Sequence, residues 1–284
     1  VGSDDAVAVS SGTAALHLAV RGLGWGEGDE VLTTPLSFVA ASNCLLYEGA
    51  TPVFCDVDPV TLNLDPAAAQ SAADNRSLSG ILAVHIFGYP ADLPALEGIA
   101  DSYEIPILED ACQAIGAVDA EGRALGSAGH PASFAFYANK QMTTGEGGVL
   151  VPAGEEMAER ARSERNQGRS PDMCSVDHVT VGFNYRMTEL QAALGIAQLE
   201  RLDDMLAARA EVATAYREGL GALGGAPAGQ GDEDGLLLPC DDAGDEQRSW
   251  FVYVVQLPRG ADRAEVMRAL TQEGIQSKAY LPCI

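Results

Sequence analysis

The stretch GILAVHIF, residues 80–87, decides the fold. It is a nearly continuous apolar run, without the polar and apolar alternation of a strand that keeps one face wet. A strand reads this way when both of its faces are covered. Working outward, residues 91–102 carry a helical pattern, and residues 105–109 (IPILE) form a second buried strand. Upstream, residues 51–55 (TPVFC) are β-branched and run into the turn residues Asp56, Asp58 and Pro59, so they read as a strand. Residues 30–33 form a short strand and residues 37–47 a helix. Residues 11–23 place Leu16, Ala19, Val20 and Leu23 at helical spacing behind a Ser-Gly-Thr opening. Downstream, residues 133–137 and 148–151 are two further strands. Repeated strand, helix, strand units of this length predict an α/β protein, with a mostly parallel central sheet flanked by helices.

From Thr188 the pattern changes. An Ala/Leu/Glu/Arg-rich stretch to about residue 223 predicts one or two long helices, and residues 224–246, rich in Gly, Asp and Pro, predict a flexible loop. Residues 250–257, a helix over 262–273, and residues 276–281 predict a small β-α-β unit. The expected organisation is a large α/β domain over residues 1–205 and a smaller C-terminal α+β domain over residues 206–284.

The chain has 284 residues, 47% of them hydrophobic, and 41 Asp+Glu against 17 Lys+Arg, for a net charge of −24. That composition excludes a disordered chain. No apolar run is long enough to span a bilayer, and the N-terminus has no signal pattern, so the expectation is a cytoplasmic protein without a membrane partner. So acidic a surface repels phosphate backbones, which argues against nucleic acid. The six cysteines, Cys44, Cys55, Cys112, Cys174, Cys240 and Cys283, show no CxxC pair and no His cluster. They read as neither a disulfide framework nor a zinc site, and no metal is expected. Lys140 and Lys278 are the only lysines. Arg replaces Lys in most surface roles but cannot form a Schiff base, so both lysines are of interest.

Three features carry candidate chemistry. Ser10-Ser11-Gly12-Thr13 at a helix start is either an anion cradle or an ordinary N-cap. Glu109-Asp110-Ala111-Cys112-Gln113 follows a buried strand, where ligands bind in open α/β sheets, although a carboxylate there also serves as a turn residue. Lys140 emerges from an apolar strand ahead of a Gly-rich turn. It is either a desolvated amine nucleophile or a surface lysine in a hairpin. Together the three fit pyridoxal phosphate, which needs an anion cradle, a carboxylate facing its pyridine nitrogen and a lysine. A Rossmann-type dehydrogenase would need a GxGxxG after its first strand, and there is none.

The segments SSGTAALHL (10–18), TTPLSFVAASNCLLYEGATPVFCDVDP (33–59), EDACQAIGA (109–117), FAFYANKQMTTGEGG (134–148) and GFNYRMTELQAALG (182–195) closely resemble the sugar aminotransferases of the DegT/DnrJ/EryC1/StrS family. The resemblance implies the aspartate-aminotransferase fold (fold type I), a homodimer with shared active sites, and pyridoxal 5'-phosphate as cofactor. It also implies transfer of an amino group from glutamate to a keto sugar carried on a nucleotide, giving an amino deoxy sugar for a polysaccharide, glycan or glycosylated metabolite. By the same resemblance Lys140 matches the catalytic lysine that holds the cofactor and shuttles the proton. Asp110 matches the partner of the pyridine nitrogen, Gln113 the contact to the ring hydroxyl, and Phe38 an aromatic stacked on the ring. Gly12 and Thr13 match the phosphate cradle, and Asn184 matches an asparagine that reaches the phosphate in the neighbouring subunit. Some members carry histidine in place of the lysine and perform dehydration; Lys140 argues against that branch.

Three departures from the family pattern stand out. Ala135 occupies a position where the family commonly has Ser, with Ser133 two residues earlier on the same strand face. Family members normally carry a further N-terminal segment and a C-terminal helical ending, so the resemblance implies either a fragment or a site with parts absent. These departures motivate an alternative, a non-catalytic or regulatory cofactor-binding protein of the same fold. Lys140, Asp110 and Gln113 argue jointly against it. For a nucleotide diphosphate the candidate cations are Arg169, Arg186 and Lys278, each also readable as a surface or interface pair. His85 reads either as a core histidine or as a pocket residue.

Overall fold

In the computed structural model, which describes residues 1–170, 177–232 and 234–281, the chain opens with β1 (Val7–Val9) and α1 (Gly12–Leu23). There follow β2 (Glu30–Thr33), α2 (Ala40–Tyr47), β3 (Thr51–Phe54), α3 (Pro66–Asn75), β4 (Gly80–Val84), α4 (Leu93–Tyr103) and β5 (Ile107–Asp110). Then come β6 (Ala132–Ala135), β7 (Gly148–Val151), α5 (Glu155–Arg165), α6 (Glu189–Leu199) and α7 (Leu202–Gly221). The described chain ends with β8 (Ala226–Pro227), β9 (Leu237–Leu238) and α8 (Arg263–Gln272). Cys174 and Cys283 lie outside the described residues.

Among the described residues, seven strands form one sheet in the order β1-β7-β6-β5-β4-β2-β3. Pairing is parallel from β3 through β2, β4 and β5 to β6, and antiparallel at β6–β7 and β7–β1. The sheet is therefore mostly parallel, as the sequence predicts. All five residues of β4 are buried. Leu82 and Val84 pack into a core with Leu16 and Val20 of α1 and Leu45 of α2, while Ile81 and Ala83 pack with Leu93, Leu96 and Ile99 of α4. The period of two along a strand sends alternate side chains into two separate helical layers, which is why the run has no polar positions.

Several elements differ from the sequence reading. β4 stops at Val84, because a 3-10 turn at Ile86–Gly88 takes over, with Phe87 in the left-handed region at φ 58°. Side chains supply the missing ladder bonds: Ile86 N–H donates to Asn63 Oδ1 (2.9 Å) and Phe87 N–H to Gln113 Oε1 (3.0 Å). The helix expected from residue 37 begins at Ala40. β1, α3 and α5 were not expected. α3 buries only Ala69 and Ala73, so its periodicity is faint; its legible signal was Asp65 as N-cap ahead of Pro66.

The largest correction is C-terminal. The expected β-α-β unit does not form: α8 is present, but residues 250–257 and 276–281 join no ladder beyond a bridge from Gln256 to Leu237. Instead the backbone at Ser249 and Phe251 donates to Gly88 and Phe87, so this segment pairs with the turn after β4. Trp250 sits between them in the left-handed region at φ 44° and stacks on Tyr253, a conformation that a ladder strand cannot hold. The predicted loop 224–246 contains the two-residue parallel pair β8–β9. The long helical stretch is two helices, α6 opening on a capping box between Thr188 and Gln191. No residue of α6 is buried, although Leu190, Leu194, Ile196 and Leu199 are on it.

Candidate active site

β5 and β6 lie side by side and parallel in the middle of the sheet, and both end at the same edge, the carboxyl edge where open α/β sheets bind ligands. Asp110 is the last residue of β5, and Lys140 follows β6 by five residues. The start of α1 faces the same edge. Together they enclose a cavity of about 590 Å³ whose lining includes Gly12, Thr13, Phe38, Asp110, Gln113 and Lys140. Every expected cofactor residue except Asn184 is therefore brought to one place, from positions up to 128 residues apart in the chain.

Ser11 caps α1, its hydroxyl accepting the Ala14 N–H at 3.1 Å. The Gly12 and Thr13 N–H groups at the helix start are left without an intrahelical partner, and the helix dipole adds partial positive charge there. Gly12 is required by close approach: a Cβ on it would lie 2.6 Å from Ala135 Cβ and 2.8 Å from Cys112 Sγ. The absence of a side chain brings the helix start against β6 and keeps the anion cradle open.

Asp110 is buried, and its Oδ1 accepts the Cys112 N–H at 3.1 Å, which fixes the carboxylate across the turn after β5. Gln113 is also buried; its Oε1 is taken by the Phe87 N–H, so its amide nitrogen is the end available as a donor. Gln141, which sequence reasoning passed over, donates from Nε2 to the Gln113 carbonyl (2.5 Å) and to Ser249 Oγ (2.8 Å). It thereby ties the residue after Lys140 to both the Gln113 turn and the 249–251 segment.

Lys140 is half-buried, and its Nζ lies 4.3 Å from the centroid of the Phe251 ring. Burial pushes its ammonium below the ordinary lysine value, with Cys112 and Asp110 pulling the other way. Burial also pushes the Cys112 thiol far up, so Cys112 stays neutral and Asp110 is the charge that opposes. A lysine held this way gives up its proton more readily than a solvated one, as an amine nucleophile or proton carrier needs.

Phe38 is 57% exposed at the cavity wall, which leaves a ring face free to stack on a ligand. Ser37 beside it lines the cavity with a buried hydroxyl that has no hydrogen-bond partner. Ala135 lines the cavity, while Ser133 is fully buried with its hydroxyl unpartnered, so Ser133 does not replace the missing Ser. Asn184 is exposed, opposite Asn166, and does not line the cavity. Arg169 and Arg186 do not line it, whereas Lys278 does, together with Tyr280. His85 is a core residue: Nδ1 accepts the Ala91 N–H (3.0 Å) and Nε2 donates to Glu109 (3.2 Å). Phe251, Tyr280 and Ser37 were missed because nothing local marks them.

The residues present fit pyridoxal phosphate. The cradle that a Cβ on Gly12 would fill suits a phosphate, the fixed Asp110 carboxylate suits a protonated ring nitrogen, and the desolvated Lys140 suits an aldehyde. The sequence profile of the DegT/DnrJ/EryC1/StrS aminotransferase family matches residues 1–284. A GDP-perosamine synthase of Caulobacter vibrioides is 38% identical over 279 residues, 98% of this chain and 72% of that protein. The solved structure of DesV from S. venezuelae, in complex with a ketimine intermediate, is 36% identical, with a TM-score of 0.85 over 96% of this chain and 69% of that one. The crystal structure of 3-amino-5-hydroxybenzoic acid synthase is 34% identical, with a TM-score of 0.89 over 100% of this chain and 72% of that one.

Proposed function

The chain belongs to the DegT/DnrJ/EryC1/StrS aminotransferase family, and on that premise we propose a residue-level account of its reaction, with glutamate as amino donor and a nucleotide-linked keto sugar as acceptor. It is a pyridoxal phosphate-dependent sugar aminotransferase of amino sugar biosynthesis. The observation that carries the account is the convergence of Lys140, Asp110, Gln113 and the α1 start on one cavity. When bound, the cofactor supplies the carbonyl carbon that receives the amino group and the ring that accepts the electron pair released at the substrate carbon. Gly12 and Thr13 would hold its phosphate with backbone N–H groups, and Phe38 would cover the ring. Asp110 would keep the ring nitrogen protonated, and the Gln113 amide would donate to the ring hydroxyl. The Lys140 amine would hold the cofactor covalently and, once displaced by the donor, carry the proton to and from the substrate carbon.

The test is the absorbance of the protein with pyridoxal phosphate, before and after glutamate. A band near roughly 410–430 nm that glutamate bleaches supports the account. Lys140→Ala should lack the band and lose at least about 100-fold in turnover; full turnover in that variant would overturn it. Bleaching also separates an active enzyme from a non-catalytic relative.

Asn184, exposed and off the lining of its own cavity, suits the role of reaching the site of a second copy, and the uncovered apolar residues of α6 suit an interface. We read the protein as a homodimer on these grounds. Sedimentation of the wild type against Leu194→Asp/Ile196→Asp checks it, and equal masses at the monomer value would refute it. The division into residues 1–205 and 206–284 would place the boundary inside α7, which then links the two domains. Among the described residues no helix is long and apolar enough to cross a membrane. The inferred location is the cytoplasm, where the proposed substrates occur.

A further inference from the structure

The two lysines of the chain, 138 positions apart, line the same cavity. Lys140 is on its floor; Lys278 is exposed at its mouth. Two aromatic rings link them, Tyr280 on the lining and Phe251 buried behind it. The Lys140 Nζ is 4.3 Å from the Phe251 ring, Phe251 is 5.8 Å from Tyr280, and the Lys278 Nζ is 5.8 Å from Tyr280. Tyr280 packs edge-on against both Phe87 and Phe251. Lys278 is therefore carried two residues from a packed ring on the lining of the site.

Its ion pairing among the described residues is the second observation. The chain carries 41 acidic residues against 17 basic ones, and Arg21, Arg76, Arg123 and Arg248 all reach carboxylates. Among the described residues no carboxylate lies within ion-pair distance of Lys278. A substrate carrying a diphosphate approaches a protein of charge −24 against its field, so it needs a local cation at the point of entry. The carboxylates on the lining, Asp110 on the floor and Glu146, make that need sharper.

We propose that Lys278 binds the diphosphate of the sugar-nucleotide substrate at the cavity mouth, and so selects a nucleotide-linked over a free sugar. The inference rests on the function proposed above and deepens it. A donor α-carboxylate is one bond from the reacting carbon and must sit on the floor beside Lys140. A diphosphate is separated from the reacting carbon by the sugar ring, as Lys278 is separated from Lys140 by the Phe251 and Tyr280 rings.

The experiment titrates the pyridoxal phosphate-loaded protein calorimetrically with GDP, UDP and inorganic pyrophosphate, in wild type, Lys278→Gln, Lys278→Arg and the remote control Arg268→Gln. Lys278→Gln should weaken GDP and UDP about tenfold, the scale of one hydrogen bond to a charged group. Lys278→Arg and Arg268→Gln should hold near the wild-type value, and added salt should weaken the wild type more than Lys278→Gln. Glutamate should bleach wild type and Lys278→Gln at the same rate. Equal affinity in wild type and Lys278→Gln, or no binding of any probe to the wild type, overturns the proposal. Slowed bleaching with unchanged GDP and UDP affinity also overturns it, by assigning Lys278 to the donor carboxylate. A wild type that fails to bleach at all defeats the transamination account, while the titration still decides the role of Lys278.

Discussion

Replacing Gly12 by alanine tests the architecture of the anion cradle. Gly12 opens α1, and a Gly→Ala change in a helix ordinarily stabilises by about 0.5–1 kcal/mol through lower entropy of the unfolded chain. Here the new Cβ would meet Ala135 Cβ at 2.6 Å, Cys112 Sγ at 2.8 Å and the Ala135 Cα at 3.3 Å. Carbon atoms pack best at about 3.5–4.0 Å, so the nearest contact is roughly 1 Å too close. β6 cannot yield easily, because Ala135 is in register with Gly148 of β7, and a Cβ on Gly148 would in turn strike the Ser11 carbonyl at 2.6 Å. The helix start is wedged between two strands. Overpacking of this kind costs about 1–3 kcal/mol, so the net expectation is a loss of about 1–2 kcal/mol. Gly98 supplies the control. It lies in α4 with no atom within 4 Å of its would-be Cβ, so Gly98→Ala should stabilise by about 0.5–1 kcal/mol. Urea or thermal unfolding of the cofactor-free protein reads both, at about 2–4 °C per kcal/mol. The pair Gly12→Ala/Ala135→Gly should recover part of the loss, since the Cys112 contact remains. Pyridoxal phosphate affinity should fall in Gly12→Ala alone of the two single variants. A melting temperature for Gly12→Ala equal to or above that of Gly98→Ala would refute the wedge.

Two further outcomes follow from buried charge. The folded state lowers the proton affinity of Lys140 through burial, so below that lowered value the folded protein bears the cost of a desolvated ammonium. As pH rises through the lowered value toward the ordinary one, the unfolded chain binds the extra proton and wild-type stability rises. Lys140→Met should therefore melt above the cofactor-free wild type at neutral pH, with the gap narrowing toward pH 10; a gap independent of pH would contradict the desolvation. Arg21 pairs with Glu48 and with Glu164, whose side chain is 1% exposed, and only the more exposed Arg160 would remain on Glu164 without it. Arg21→Met should cost about 2–3 kcal/mol in urea unfolding, slightly below the usual toll of stripping one partner from a buried pair; a loss under about 1 kcal/mol would show Arg160 sufficient.

The sequence by itself determined the buried centre of the sheet because β4 and β5 have two dry faces, and two dry faces leave no polar period to mistake; β1, α3 and α5 escaped it. It also singled out Gly12, Asp110 and Lys140, which lie at the start of α1, at the end of β5 and just beyond β6, and the cavity brings them together. The tertiary structure alone decided the rest. Residues 250–257 look like a strand, and instead bring Phe251 against Lys140, because the backbone there bonds to the turn after β4, a partner more than 160 positions away. Ser133 and Ala135 share a strand face, yet only Ala135 reaches the cavity, since neighbouring strands bury Ser133 completely. Lys278 and Lys140 have nothing in common along the chain. They share one cavity through the packing of the Phe251 and Tyr280 rings, and non-local packing of that kind leaves no trace in spacing or periodicity.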